Sequence, residues 1–279
     1  MHTRRILPLL GALLLAGSAA GAVTLKERFE KTVPLRAGSA IQLKNVNGSV
    51  TVEAWDRNEV RVEAEKQVKA GDRDQARKVM DQIHIDVTPG ASGVRIETRM
   101  PKRENGFFEG LMGHNVNASV SYRVQVPRQV ALDILNSNGG IRAVGTRGQA
   151  HLETSNGALT TEDVRGDMRL ETSNGAITVA RSQGAVTAST TNGAITAELT
   201  DLPDGRDLRF ETSNGGVSLR LPRDARLSVD ASTSNGGVSS DFAVEGGQTG
   251  RQSLKGDING GGAKLFIRTS NGRVALDEI

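Results

Sequence analysis

The dipeptide Asn-Gly recurs through the sequence at nearly constant intervals, and this repetition restricts the folds that the chain can adopt. From the second copy onward, the asparagines are separated by 18, 18, 18, 22, 21 and 36 residues. One Asn-Gly indicates only a tight turn between two extended segments. Copies in register predict a repeat unit, and the step of 36 predicts two periods with a degenerate copy in residues 245–262. The eight asparagines are Asn47, Asn138, Asn156, Asn174, Asn192, Asn214, Asn235 and Asn271.

The residues around each asparagine form columns of constant character. The positions six before, four before and three after it are apolar in each of the eight copies. The position two before it is threonine in six copies and asparagine in two. Because alternate residues share one side, strands are predicted before and after the turn. Gly148, Gly166 and Gly184 each stand ten residues after an asparagine, which predicts a second turn in each repeat.

One repeat is too small to fold alone. Ordering its 18 residues costs roughly 27 kcal/mol, whereas each of its four or five inward apolar side chains contributes only about 1.5–3 kcal/mol. Stacked repeats share backbone hydrogen bonds and cover each other's apolar side chains. We therefore predict an all-β fold, a parallel β-helix or β-solenoid with two-strand coils of about 18 residues, right-handed by the usual rule for parallel crossovers.

The alternative fold is an antiparallel β meander or sandwich built from Asn-Gly hairpins. Asn-Gly is the favoured loop of two-residue hairpins, so the turn alone does not separate the two folds. A meander of some sixteen strands would, however, exceed the roughly ten strands that an open sheet tolerates without curling. The strand number therefore favours the solenoid.

The first 22 residues have the three parts of an export signal. Met1 to Arg5 is basic, Ile6 to Leu15 is apolar, and Ala20-Gly21-Ala22 matches an A-x-A cleavage site. The apolar run is too short to span a bilayer, and no second run of that length follows. We predict an exported mature chain without a transmembrane anchor, with the periplasm as the favoured compartment and the cell surface or secretion as the alternative.

The rest of the chain divides into two predicted sections. Residues 23–131 are predicted to form a strand-rich N-terminal capping section, with a helix over 72–83 and an aperiodic loop at 101–117. Residues 132–279 are predicted to form the repeat solenoid. Within the loop, Phe107 and Phe108 are candidates for a partner contact or for a cap on an open end of the solenoid.

Composition excludes several classes of function. The chain has no cysteine, which excludes disulfides, a lipid anchor, thiolate metal sites and a cysteine nucleophile. Without the export signal, 33 basic and 32 acidic residues leave a net charge of only +1. Aromatic residues are 3% of the chain, too few for a platform on which bases stack, so no nucleic-acid partner is predicted.

Candidate catalytic groups are sparse. Carboxylates clustered with arginine are typical of the β-helical lyases and hydrolases that act on polysaccharides. Two such groups lie at predicted second turns, where acidic residues are ordinary. The histidines of the mature chain have no metal-ligand spacing, so we predict no catalytic residue, no metal and no cofactor, with a polysaccharide-active lyase or hydrolase as the alternative. The two groups are Glu162 and Asp163 with Arg165, and Asp201, Asp204 and Asp207 with Arg206.

The asparagine column is interpreted as a structural turn ladder. Stacked asparagine side chains hydrogen-bond to their neighbours, and asparagine tolerates a left-handed backbone. The threonine column two residues earlier is predicted to point inward, which argues against a surface that orders water or ice. The glycines that complete this ladder are Gly157, Gly175, Gly193 and Gly215.

The chain resembles the putative-adhesin group of exported bacterial β-strand-repeat proteins, a domain of unknown function. The likeness covers residues 25–279 and is carried by units such as Leu170-Glu171-Thr172-Ser173-Asn174-Gly175-Ala176-Ile177-Thr178. It implies a β-helical envelope or surface protein that acts as a non-catalytic structural or binding module. The implied partner is an envelope protein or a surface glycan, and the resemblance carries over no catalytic residue.

Overall fold

The computed structural model describes residues 22–101, 116–202 and 205–279. Phe107, Phe108 and Asp204 lie outside the described residues, as does nearly all of the predicted export signal. Within the described residues the chain forms two large β-sheets and one short helix. None of the helical structure described is both long and apolar enough to cross a membrane.

The strands in the first half of the chain are β1 Val23–Pro34, β2 Ser39–Lys44, β3 Val50–Trp55, β4 Glu59–Ala70, β5 His84–Gly90, β6 Gly93–Arg99, β7 Asn117–Pro127, β8 Val130–Asn138, β9 Ile141–Val144, β10 Ala150–Asn156 and β11 Leu159–Glu162. Those in the second half are β12 Met168–Asn174, β13 Ile177–Gln183, β14 Val186–Asn192, β15 Ile195–Asp201, β16 Leu208–Asn214, β17 Val217–Leu221, β18 Leu227–Asn235, β19 Val238–Ser240, β20 Glu245–Thr249, β21 Ser253–Ile258, β22 Ala263–Asn271 and β23 Val274–Glu278. The helix is α1 Arg73–Asp81.

Successive repeats stack as tiers, each tier being the strand before an Asn-Gly turn and the strand after it. The first strand of each tier joins a 12-stranded sheet, and the second joins an 11-stranded sheet. Neighbouring tiers pair in parallel, with Asn156 aligned on Asn174 and Asn174 on Asn192. The predicted β-solenoid is therefore confirmed, and the antiparallel meander is wrong.

The core lies between the two sheets and is filled by the predicted inward columns. Leu170, Ala188 and Phe210 are aligned on successive strands and are fully buried. A small side chain between two large ones lets neighbouring tiers interdigitate without voids. One continuous apolar core extends in this way from Val33 to Leu276.

The N-terminal end of the stack is closed by antiparallel strands and the helix. The tiers β2–β3 and β6–β7 continue the parallel stack, after which β4 and β1 extend one sheet and β5 the other in antiparallel order. Helix α1 begins after Asp72, whose side chain accepts a hydrogen bond from the backbone N–H of Gln75 at 2.8 Å. Its residues Ala76, Val79 and Met80 are buried against the core. The predicted division at residue 131 stays a prediction.

The C-terminal end departs from the predicted serial order. Residues 245–258 form the antiparallel pair β20–β21, and β21 pairs with β18. The final repeat, β22–β23, then lies between the tiers β16–β17 and β18–β19. The prediction of a degenerate repeat in 245–262 is wrong, because β20 is exposed along its whole length and only Leu254 and Ile258 of β21 are buried.

Candidate binding surfaces

The eight asparagines of the Asn-Gly turns, called the asparagine rim below, form one continuous chain of side-chain hydrogen bonds. Each Nδ2 donates to the Oδ1 of the asparagine in the adjacent tier, at 2.8–2.9 Å. Asn47 ends the chain by donating to the carbonyl oxygen of Ala118 at 3.2 Å. The spatial order is Asn47, Asn138, Asn156, Asn174, Asn192, Asn214, Asn271 and Asn235.

A second chain of hydrogen bonds runs inside the rim. The buried threonines two residues before the asparagines donate from Oγ1 to the carbonyl oxygen of the turn glycine in the adjacent tier, at 2.8–3.1 Å. Asn136 makes the same contact through Nδ2 to Gly48, at 2.9 Å. These part-buried bonds give the carbonyl groups of the turn glycines a hydrogen-bond partner. The threonines are Thr154, Thr172, Thr190, Thr212, Thr269 and Thr233.

Glycine follows each rim asparagine because the stacked turns approach each other closely. A Cβ atom on any of the four predicted ladder glycines would lie 2.0–2.3 Å from the carbonyl oxygen of the preceding turn glycine. The asparagines themselves do not use a left-handed backbone, since the described non-glycine residues with positive φ are Asp163, Arg181 and Asn259. Tolerance of that conformation is therefore the wrong reason for asparagine here. The four glycines are Gly157, Gly175, Gly193 and Gly215.

The rim also presents polar groups to solvent. Each asparagine amide carries two N–H groups and uses one of them to reach the next rim asparagine. The residue before the asparagine carries an exposed hydroxyl in six tiers. Donors and acceptors thus recur along this edge at the strand spacing of about 4.8 Å. The six hydroxyl residues are Ser155, Ser173, Thr191, Ser213, Ser270 and Ser234.

The outer face of the 11-stranded sheet carries a second hydroxyl row. Thr160, Thr178 and Thr196 are aligned on successive strands, and Ser218 continues the row. The sequence interpretation considered only the inward threonine column and missed this one. Its signal was present in the sequence, since these residues stand four positions after an asparagine, on the opposite side of the strand from the core.

The first candidate catalytic group is an ion-pair network. Glu162 accepts hydrogen bonds from Arg142 and Arg181, and Asp163 is 3.2 Å from Arg181. Arg142 and Arg181, and not the predicted Arg165, supply the positive charges. The hydrogen bonds from Arg181 and then Arg142 lower the pKa of Glu162. A carboxyl group acting as general acid needs a raised pKa, so this arrangement suits an exposed salt bridge and not acid catalysis.

The second candidate group does not form a carboxylate cluster among the described residues. Arg206 reaches back to Asp167, two tiers away from its own strand. The Oδ1 atom of Asp207 accepts from the backbone N–H of Lys264 at 3.0 Å. Asp201 ends β15 as an exposed residue. Arg206 and Asp207 thus attach the loop before β16 to neighbouring tiers.

One group with metal-ligand chemistry was missed by reading linear spacings. Ligand atoms of His151, Glu153 and Glu171 lie within 4.8 Å of one another on the outer face of the 12-stranded sheet. His151 Nδ1 is 3.1 Å from Asp133, and Arg169 forms an ion pair with Glu171. Glu153 and Glu171 stand in one outward column and His151 in the next, so aligning the repeats by their period already places the three on one face. Since the group is open to solvent and already has partners in the protein, we assign no metal to it.

The fold thus consists of two facing sheets built mainly from parallel tiers of about 18 residues, with the same contacts repeated at the Asn-Gly turns. The sequence matches the Toastrack DUF4097 family over residues 39–277. The chain belongs to this family. No curated protein matches the sequence.

Solved structures similar to this Toastrack protein come from three bacterial species. A putative cell adhesion protein of Clostridium sporogenes is 12% identical, with a TM-score of 0.30, and the likeness covers 90% of this chain and 100% of that one. A putative adhesin of Bacteroides fragilis is 11% identical, with a TM-score of 0.38 and coverage of 90% and 97%. A putative lipid binding protein of Parabacteroides distasonis is 8% identical, with a TM-score of 0.26 and coverage of 90% and 96%.

Proposed function

We propose that this Toastrack protein is an exported, non-catalytic binding module of the bacterial envelope, and that it holds a surface glycan along the asparagine rim. The observation that carries the proposal is the row of amides and hydroxyls on one edge of the solenoid. Glycan chains carry hydroxyl groups at regular intervals, and a rigid row of donors and acceptors can bind several of them at once. Each contact is weak, and the affinity comes from their number.

Charge and composition favour a neutral polar ligand over the alternatives. The mature chain is nearly neutral, so it lacks the excess positive charge that attracts nucleic acid.

Residues 1–22 support export, with the periplasm as the favoured compartment and the surface or secretion as the alternatives. The ion pairs of Glu162 and the dispersed contacts of Arg206 and Asp207 support the absence of catalysis.

The binding test uses the purified mature chain on immobilised neutral and acidic envelope polysaccharides. We expect retention of the protein without new reducing ends or unsaturated products. Retention with cleavage would identify a lyase or hydrolase instead. If neither polysaccharide retains the protein, the glycan proposal fails.

A matched pair of variants locates the site. S155A, S173A and S213A together remove three rim hydroxyls and keep the asparagine ladder. At about 1 kcal/mol per lost hydrogen bond, the Kd should rise about a hundredfold. The control combines T160A, T178A and T196A, which remove three hydroxyls from the outer face of the 11-stranded sheet. Weaker binding of the control alone would place the site on that face.

Export is tested separately by cell fractionation. We expect the chain without residues 1–22 in the periplasmic fraction, identified by the mass of its N-terminal peptide. Recovery of the full chain from the cytoplasm would contradict export while leaving the binding assay valid.

A further inference from the structure

The position of the final repeat in the stack is unusual. The chain leaves β17, skips one strand position and forms β18 and β19, and the skipped position is later filled by β22 and β23. Residues 263–278, called the inserted repeat below, therefore separate two tiers that are consecutive in the sequence. Each of its strands is paired in parallel on both sides.

The two tiers on either side of the inserted repeat have the same strand register as the inserted repeat, and therefore the same register as each other. Asn271 is aligned with Asn214 on one side and with Asn235 on the other. Ile267 is likewise aligned with Phe210 and with Ala231. If the inserted repeat leaves, β18 can move by one strand spacing, about 4.8 Å, and pair with β16 in an unchanged register.

This match lowers the cost of removing the inserted repeat, and the two tiers beside it, β16–β17 and β18–β19, are already consecutive in the chain. Removing a tier normally leaves two open sheet edges whose backbone groups lose their partners. Here the two edges can close on each other, with Asn235 donating to Asn214 and a small Ala231 packing on Phe210. The large-small alternation seen elsewhere in the core is then preserved.

The ends of the inserted repeat are held by a few contacts at the surface. Glu278 forms an exposed ion pair with Arg223 at 2.8 Å, a contact of a kind that contributes little. The backbone N–H of Ile279 donates to the carbonyl oxygen of Leu221 at 3.0 Å. The connection into β22 runs through Asn259, Gly260 and Gly261, all with left-handed φ. Asn259 Nδ2 donates to the carbonyl oxygens of Arg223 and Ala225 at 3.0 and 2.8 Å, so opening this hinge breaks two side-chain hydrogen bonds.

We propose that the inserted repeat is exchangeable, so that the gap between β16–β17 and β18–β19 accepts residues 263–278 of a second copy of this chain. The exchanged dimer makes the same strand pairs as the single chain and changes only the hinge. The asparagine rim stays continuous in each half. A dimer of this kind carries two rims and would bind a repetitive ligand bivalently, although the exchange itself does not depend on the ligand.

Closure of the gap is tested in the full chain, which has no cysteine of its own. Ser213 and Ser234 are exposed and lie two tiers apart, about 9.6 Å, too far for a disulfide. In the variant S213C/S234C we expect a disulfide to accumulate slowly, because it forms only after the inserted repeat has left. The control S173C/S213C also spans two tiers and should stay reduced. Equal cross-linking of the two variants, or none in either, overturns the proposal.

Exchange between copies is tested with single-cysteine chains. Ser213 and Ser270 are in register on adjacent tiers, so S213C/S270C in one chain should cross-link rapidly and confirm the geometry. Mixing the S213C chain with the S270C chain should give a disulfide between positions 213 and 270 of different copies, found by peptide mass. The control mixes S155C with S173C, two exposed positions on adjacent tiers in the middle of the stack. We expect at least a fivefold excess over this control, and no excess contradicts the exchange.

Discussion

The two long edges of the solenoid differ in regularity. On the asparagine side, each turn from Asn138 onward repeats the same three contacts, namely the rim hydrogen bond, the inner hydrogen bond to a glycine carbonyl and the close approach of glycines. On the opposite side the turns vary. Asp163 and Arg181 have left-handed backbones there, the register between β13 and β15 shifts after Val179, and longer loops precede β16 and β18.

This difference shows how a repeat protein can keep its core while changing its surface. The inward columns stay aligned only if the spacing between tiers is fixed. On the asparagine side, two series of hydrogen bonds fix it, one between the rim asparagines and one from the buried threonines to the glycine carbonyls. Once one edge is held, loops of different length on the other edge do not disturb the register. The asparagine side is thus held along the whole stack. The opposite side is regular only where Gly148, Gly166 and Gly184 stack, and it varies in the tiers beyond them.

The largest difference between the edges is expected for a methyl group added at a turn glycine. In G175A the new Cβ would lie 2.1 Å from the carbonyl oxygen of Gly157, and the backbone of two stacked turns cannot easily separate. We expect the free energy of unfolding to fall by at least about 3 kcal/mol. The control is G205A on the opposite side, where nothing lies within 4 Å of the new atom and only the left-handed φ of 65° opposes alanine. Its cost should be about 1 kcal/mol. Urea unfolding measures both, and equal losses would mean that the two edges are equally constrained.

The chain of hydrogen bonds inside the rim, called the inner ladder below, ends at a titratable side chain, Tyr122. Thr98 is aligned with the inner column, donates to Asn45 at 2.9 Å and lies 2.6 Å from the hydroxyl oxygen of Tyr122. Burial raises the pKa of Tyr122 to about 12 in the folded protein, above its value of 10.0 when exposed. Since the folded state holds the proton more tightly, stability is full below pH 10 and falls as the pH rises towards 12.

We expect the native chain to lose about 2 kcal/mol of stability between pH 10 and 12 at this site. In Y122F that loss disappears, while the bond from Thr98 to Asn45 remains. Urea unfolding of both proteins at several alkaline pH values measures the difference. Parallel pH profiles for the two proteins would mean that Tyr122 does not end the ladder as a buried hydroxyl.

The inner ladder should be stronger than a hydroxyl row of the same residue type outside. In T172V the carbonyl oxygen of Gly157 loses its hydrogen-bond donor, at a cost of about 1–3 kcal/mol. In T178V, on the outer face of the 11-stranded sheet, we expect a change within about 0.5 kcal/mol. Thermal unfolding of the two variants gives the comparison. A T178V chain that is as unstable as T172V would show that the outer threonines also bind the tiers together.

The regular part of the solenoid could be predicted from the sequence, because its information is local. The columns around Asn156, Asn174 and Asn192 each repeat within 18 residues, so strand, turn and inward face follow from one period. The outward row of Thr160, Thr178 and Thr196 was available by the same reasoning at another offset. Choosing between parallel tiers and a meander needed only the number of strands.

The order of the tiers at the C-terminal end could not be predicted in the same way. The repeats that contain Asn214, Asn235 and Asn271 have the same register, so any order of stacking keeps the inward columns aligned. The observed order depends on the antiparallel strand β21, which covers the far edge of β18 and thereby leaves the inner position to β22. The rim hydrogen bonds of Asn271 to Asn214 and of Asn235 to Asn271 follow from this order of the tiers. The sequence interval between Asn235 and Asn271 does not predict them.

The smallest expected difference concerns the position of an asparagine along the rim. Asn174 takes part in two rim hydrogen bonds, donating to Asn156 and accepting from Asn192. Asn235 is at the end of the chain of bonds and takes part in one, to Asn271. Because these bonds are exposed, N174A should lower the free energy of unfolding by about 1–2 kcal/mol and N235A by about half as much. Urea unfolding resolves such a difference when both curves share one slope. A larger loss for N235A would mean that the rim is held mainly at its end, where β18 meets the inserted repeat, and not evenly along the asparagine side.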